Sequence, residues 1–315
     1  MKKKVISLFM ITFIVLLCIF PSQLTNAASK SLILWYTKVL PSLFPFTIAI
    51  NMLESVGFAK ILDKKLGSVT KTLFRLNGHG AFPIVFGALA GFPTSANIIN
   101  DLYKKRLLSL KECQCLMSFS NSPGPIFVIS TVGAIFLKNQ FFGYIILSAT
   151  LLSSLITGII CGKVFNPLIE QKKTVSTQKS ALYIPIGKIL AASISSAAQA
   201  LVLIGGCIML FGIIIELLYI SCILSSDKPI FSGIISGFLE MTTGLEILSR
   251  PPIPIEMKIG LCTFIVNLGG FSVLMQIFGC SSTIPINRLV FICNHFLKAL
   301  LATIISIGLY LLITN

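Results

Sequence analysis

The chain has 315 residues, of which 55% are hydrophobic and only 11% charged, and its mean hydropathy is +0.94. Too little polar surface remains to face water, which excludes an ordinary soluble domain and reads as an integral membrane protein. The net charge of +15 does not point to nucleic acid, because Lys and Arg gather in short stretches between apolar runs, the pattern that orients a polytopic chain.

The chain opens with MKKK, the apolar run Val5 to Phe20, and PSQLTNAA. This has the layout of a signal peptide, but the run is nearly long enough to span, and a retained first helix is expected. Next comes KSLILWYTKVLPSLFPFTIAINMLESVG: an interfacial segment carrying Trp35 and Tyr36, then a bend at Pro41 and Pro45 into a span ending near Glu54. A basic loop with Lys60, Lys64, Lys65, Lys71 and Arg75 follows, and His79 is placed in a loop.

Residues 79 to 100 are apolar at first and then broken at Gly91 to Ser95, before a second basic group at Lys104, Lys105, Arg106 and Lys111. Two basic flanks on one side of the bilayer require this segment to turn back, so a re-entrant hairpin is expected. The next span, residues 115 to 136, is interrupted by Asn121, Ser122, Pro123, Gly124 and Pro125, and a clean span then runs back to Lys163.

The second half repeats the plan. A span from about Ala198 to Leu224 leads to an apolar segment broken at Gly237 to Gly244, and then to a span broken at Asn267, Gly269 and Gly270. GFPTSANIIN aligns with GFLEMTTGLEI, and LMSFSNSPGPIFVI with LCTFIVNLGGFSVL; Gly91 to Phe119 is 28 positions and Gly237 to Phe264 is 27. Three spans separate the two hairpins, so the second enters from the opposite face, an inverted-topology repeat.

The expected fold is an all-α polytopic membrane protein with about seven transmembrane helices and two re-entrant hairpins. Residues 1–60 hold N-terminal transmembrane helices with an interfacial segment, and 61–163 the first repeat. Residues 164–197 form a polar linker with an amphipathic segment, and 198–315 the second repeat with the final helix.

Breaking a helix in hydrocarbon leaves backbone groups unpaired at several kcal/mol each, a cost tolerated where the break lines a cavity. The four breaks carry Gly91, Pro93, Thr94, Ser95 and Asn97; Ser118, Ser120, Asn121 and Ser122; Glu240, Thr242 and Thr243; and Asn267. These residues are the candidate substrate-binding site. Half-helix ends supply donors and partial positive charge to an anionic solute. Against this stands plain helix packing, to which a GxxxG such as Gly87 with Gly91 is suited. Glu240, inside a span, suits proton or sodium coupling or a solute hydroxyl, or a protonated carboxyl bonded locally. Glu216 and Glu246 read as interfacial, and His295 as a packed core histidine.

Nine cysteines form no CxxC, and Cys113 and Cys115 read as small buried hydrophobes. No catalytic motif, metal-ligand set or cofactor signature is present, so no enzyme is expected.

Residues 85 to 136, with the ALAGFPTSA turn, the LMSFSNSPGP break and the preceding LPSLFPF bend, resemble the nucleoside-recognition, or Gate, domain of the YlbJ-type sporulation integral membrane proteins. That fold in turn resembles the core of concentrative nucleoside transporters. The resemblance implies movement of dipicolinic acid across a forespore membrane during spore formation. Its alternatives are a nucleoside-like solute coupled to H+ or Na+ through Glu240, and a non-transporting structural protein of spore membranes. The partners implied are the solute and the lipid bilayer of a bacterial cell or forespore membrane, with a homo-oligomer allowed. FLEMTTG stands where the first hairpin has FPTSANI, so Glu240 would repel a dianion unless protonated.

Overall fold

The computed structural model describes residues 2–76, 78–167 and 185–314. The expected linker residues Lys172, Lys173 and Lys179 lie outside the described residues. Everything described is helix, turn or loop, and five helices are long and apolar enough to cross a membrane.

The N-terminal part consists of α1 (Lys2–Ile19), α2 (Pro21–Leu34), a π-helical stretch (Trp35–Val39) and α3 (Leu40–Ser55). The expected division into an interfacial segment and a span is replaced by continuous helix: Pro21–Ser55 forms one 35-residue candidate span. Pro41, just past the junction of the π-helical stretch with α3, and Pro45 are both absorbed within this continuous helix.

The expected basic loop is also a helix, α4 (Phe58–Phe74). Its Lys residues share the helix with Phe58, Leu62 and Phe74, which pack inward, so an amphipathic period was hidden under the charge. A short turn, Gly78–Gly80, holds His79 with Nδ1 2.9 Å from Asp63 Oδ2.

Two sets of elements follow, in each of which a pair of short helices precedes an interrupted helix and a long span. In the first half, α5 (Ala81–Ala90) and α6 (Thr94–Lys104) pack against one another across the break Gly91–Pro93. Then α7 (Leu110–Ser120), the break 121–124, a π-helical segment (Phe127–Phe136) and the span α8 (Gln140–Phe165) complete it. A capping box starts α7: Ser109 N donates to Glu112 Oε2 at 2.8 Å, and Glu112 N to Ser109 Oγ at 3.3 Å.

The span expected from Ala198 is longer at its start: α9 (Ile186–Ile220) has 35 residues, so the last part of the expected linker is helix. The second half has α10 (Pro229–Leu239) packed against α11 (Met241–Ser249), then α12 (Ile255–Leu268), α13 (Gly270–Cys280) and the span α14 (Arg288–Thr314). Helices α8 and α14 pack on each other and on the interrupted helices, which puts the breaks at the centre of the molecule. Large apolar side chains such as Leu152, Leu203, Ile304 and Leu312 stay exposed on the outer helix faces, as a lipid-facing surface requires.

Candidate functional site

Close backbone approach defines the site. Gly91 has φ +82°, and a Cβ there would lie 2.6 Å from Gly124 N; in the second half Gly270 has φ +72° and its Cβ would lie 2.6 Å from Gly237 O. Only glycine satisfies both the left-handed backbone and the contact. Each half therefore presses the turn of its helix pair against the break of its interrupted helix.

Between these two crossings lies a narrow cavity of about 30 Å³, space for a water or two. The first half contributes Gly91, Phe92, Pro123, Gly124 and Phe127, and the second Glu240, Met241, Thr242, Val273 and Gln276. Val39 and Leu43 from the N-terminal helix, with Ile204 and Ile208 from α9, close its apolar sides.

Of the residues expected from sequence, only Gly91, Glu240 and Thr242 line this cavity. Pro93 is buried beside Phe92 in the turn, and Thr94 is half-buried at the start of α6. Ser95 and Ser120 are spent on each other, with oxygens 2.6 Å apart, and Ser95 Oγ also donates to Pro83 O at 3.2 Å. The packing reading of Gly87 holds here, since a Cβ on it would meet Ser120 O at 2.3 Å. Ser118 accepts from Asn294 Nδ2 at 3.1 Å and donates to Gln114 O at 2.8 Å. Asn97 is exposed on α6, away from the cavity. Thr243 faces a separate groove.

Glu240 has a definite structural task. It stands in extended backbone between α10 and α11 and caps α11: Oε1 accepts from Thr242 N at 3.0 Å, and Oε2 from Thr243 N at 2.7 Å and Thr243 Oγ1 at 2.9 Å. The amides at this half-helix end are already committed to a carboxylate, which the positive end of the helix stabilises. Asn267 donates to Thr150 Oγ1 at 2.9 Å and to Thr263 O at 3.0 Å, tying the second break to α8 of the first half.

Sequence reasoning missed Lys298. It is fully buried in α14, donates to Asn121 O and to Ser122 Oγ (3.2 Å), and its Nζ lies 6.0 Å from the centre of the Phe92 ring. A single lysine in the apolar run NHFLKALL was the available signal, since a cation within a span is costly and usually functional. Gln276 also went unread, as a lone amide in an apolar helix. His295 is buried with its ring stacked on Phe291 (5.3 Å between centroids) and edge-on to Phe92 (5.9 Å), in keeping with a packed histidine.

Two grooves open beside α11. One is lined by Lys38, Lys138, Glu246, Arg250 and Lys258 among others, the other by Lys30, Lys38, Glu216, Thr243, Glu246 and Arg250. Glu246 pairs with Arg250 at 2.6 Å, and Lys258 Nζ donates to Ser249 O at 2.9 Å. At the other end of α8, Arg75 donates to Asn166 Oδ1 at 3.0 Å. Beyond the spans, His79 has its basicity raised by the hydrogen bond to Asp63, against a smaller opposing effect of burial. Among the described residues no group of His, Cys, Asp and Glu could hold a metal ion.

These features define an all-helical integral membrane protein with a partly polar cavity at its centre, bounded by interrupted helices. The chain is 27% identical over 313 positions to the sporulation integral membrane protein YlbJ of Bacillus subtilis (strain 168), an alignment covering 90% of this chain and 77% of that protein. The similarity supports the YlbJ-type resemblance carried by the LPSLFPF, ALAGFPTSA and LMSFSNSPGP motifs. No family model and no solved structure matches the chain.

Proposed function

We propose that the protein is a membrane transporter or facilitator for a small anionic solute, with dipicolinate, the solute that the family resemblance implies, as the first candidate. The observation that carries the reading is the central cavity, built where turns and breaks from both halves meet. A purely structural membrane protein has no need for four interruptions converging on one space.

In this reading α5–α6 and α10–α11 are re-entrant hairpins of an inverted repeat. Helix α8, 26 residues or about 39 Å long, supports it: Lys138, just before its start, shares a groove with Arg250 at the base of α10–α11, whereas Asn166, just past its end, bonds Arg75 on the side where α5–α6 begins. The grooves at the Arg250 end carry five cations against two carboxylates, a mouth suited to gathering anions. The YlbJ similarity supports a place for this activity in spore formation.

A second reading, a nucleoside-like solute, is favoured by one feature: the Glu240 carboxylate lines the cavity and could accept from sugar hydroxyls. Uptake of labelled dipicolinate and uridine into proteoliposomes tests both. Dipicolinate entering above protein-free vesicles is the expected result, uridine alone would install the second reading, and movement of neither under any proton or sodium gradient would return the protein to a scaffold role.

A further inference from the structure

Lys298 and Thr150 occupy corresponding places. Each lies ten positions beyond the first residue of its span, Arg288 in α14 and Gln140 in α8, and each bonds the break of the other half. Thr150 receives the Asn267 amide with its hydroxyl, while Lys298 reaches Asn121 O and Ser122 Oγ. A neutral hydroxyl is therefore sufficient to tie a break to the opposite half, and a positive charge on Lys298 is more than the packing needs.

That charge also lacks a counter-ion. Among the described residues no carboxylate pairs with Lys298. Glu240 is engaged by the α11 amides and Thr243, and His295, one turn away on the same helix, packs against Phe92 and Phe291. A lysine amine held in the membrane interior without an acidic partner is costly to charge, and a nearby anion favours its ammonium form strongly because the local dielectric is low. Lys298 stands just behind the lining of the central cavity: its partner Ser122 is followed directly by the lining residues Pro123 and Gly124, and Phe92, over which it sits, lines the cavity too.

We propose that Lys298 sets the charge selectivity of the central cavity, favouring solutes that carry a carboxylate over neutral ones of the same shape. The proposal deepens the transport reading by naming the group that recognises the solute class, but it concerns binding and can be tested apart from transport.

The full-length protein, purified in detergent, is titrated with pyridine-2,6-dicarboxylate and with the isosteric neutral diamide, and binding is followed by the rise in thermal midpoint. The wild type is expected to bind the dicarboxylate at least tenfold tighter than the diamide. Lys298→Thr, which copies Thr150, and Lys298→Gln are expected to abolish that ratio while leaving diamide binding unchanged. A ratio that survives in either variant, an equal loss of both probes, or a wild type with no preference would overturn the proposal. So would failure of both variants to fold, which would assign the lysine to structure. Proteoliposome uptake separates the two readings. A wild type that binds the dicarboxylate through Lys298 but moves nothing keeps this proposal and ends the transport reading; uptake with an unchanged charge preference in the variants does the reverse.

Discussion

At the interrupted helix of the first half a lysine amine meets a carbonyl, Lys298 against Asn121 O just past the end of α7, whereas at the helix-pair turn of the second half a carboxylate meets amides, Glu240 at the start of α11. The two halves share an order of elements but use opposite charges at opposite helix ends, each matched to the local helix dipole. A helix interrupted away from water must have its terminal groups satisfied by the protein. The difference teaches that the shared backbone plan does not dictate the chemistry, and that each half solved its own termination.

The sharpest way to break this comparison is to deny a half its close approach. Gly91→Val introduces a branched side chain at φ +82° and against Gly124 N. A loss of about 3 kcal/mol or more is expected from strain and overlap together, read as collapse of the protein's level in membranes. Normal levels and thermal midpoint would show that the two breaks do not touch.

Capping by Glu240 is next in size. Glu240→Ala strands the amides of buried Thr242 and half-buried Thr243, at a cost of about 2 kcal/mol, while Glu240→Gln keeps one acceptor and should lose about half of that. A thermal midpoint that falls equally for both would mean that the charge, rather than the cap, is what matters.

The neutral cross-tie between the halves is weaker. Asn267→Ala and Thr150→Val, combined in a double-mutant cycle, should show a coupling of about 0.6 to 1 kcal/mol, the usual size for side-chain hydrogen bonds in membranes. Zero coupling would remove the pairing on which the Thr150–Lys298 correspondence rests.

The smallest effect lies outside the spans. The raised basicity of His79 means that its bond to Asp63 stabilises the folded state fully below about pH 6.5, the ordinary value, and that this contribution fades as pH rises through the higher folded value. For a partly exposed pair the effect is under about 1 kcal/mol after solvent screening. Asp63→Asn should flatten this part of the pH–stability profile, and a profile identical to the wild type would show that the pair contributes nothing.

Composition and hydropathy were enough to establish an all-helical membrane protein, because a bilayer offers a chain few alternatives to continuous apolar helices. The interruptions were legible for a similar reason: Gly91, Pro93, Pro123, Gly124 and Gly269 disfavour helix, and the structure breaks its helices there. The expected break from Gly237 to Gly244, however, narrows to Glu240, a residue that is no helix breaker, and Thr94, Ser95 and Pro125 are helical. The amphipathic helix α4 and the early start of α9 were not legible, since charge and polarity resemble loops until a packing partner makes one face apolar. Which of the polar residues near the breaks face a cavity was hidden as well. Ser95 and Ser120 satisfy each other, Asn97 turns outward, and Lys298, more than 170 positions from Asn121, arrives through the packing of α14. Sequence alone determined where the helices must break, because breaking is a local property of backbone and side chain. Only the tertiary structure decided what each break meets, because a buried polar group takes whichever partner the fold brings within about 3 Å.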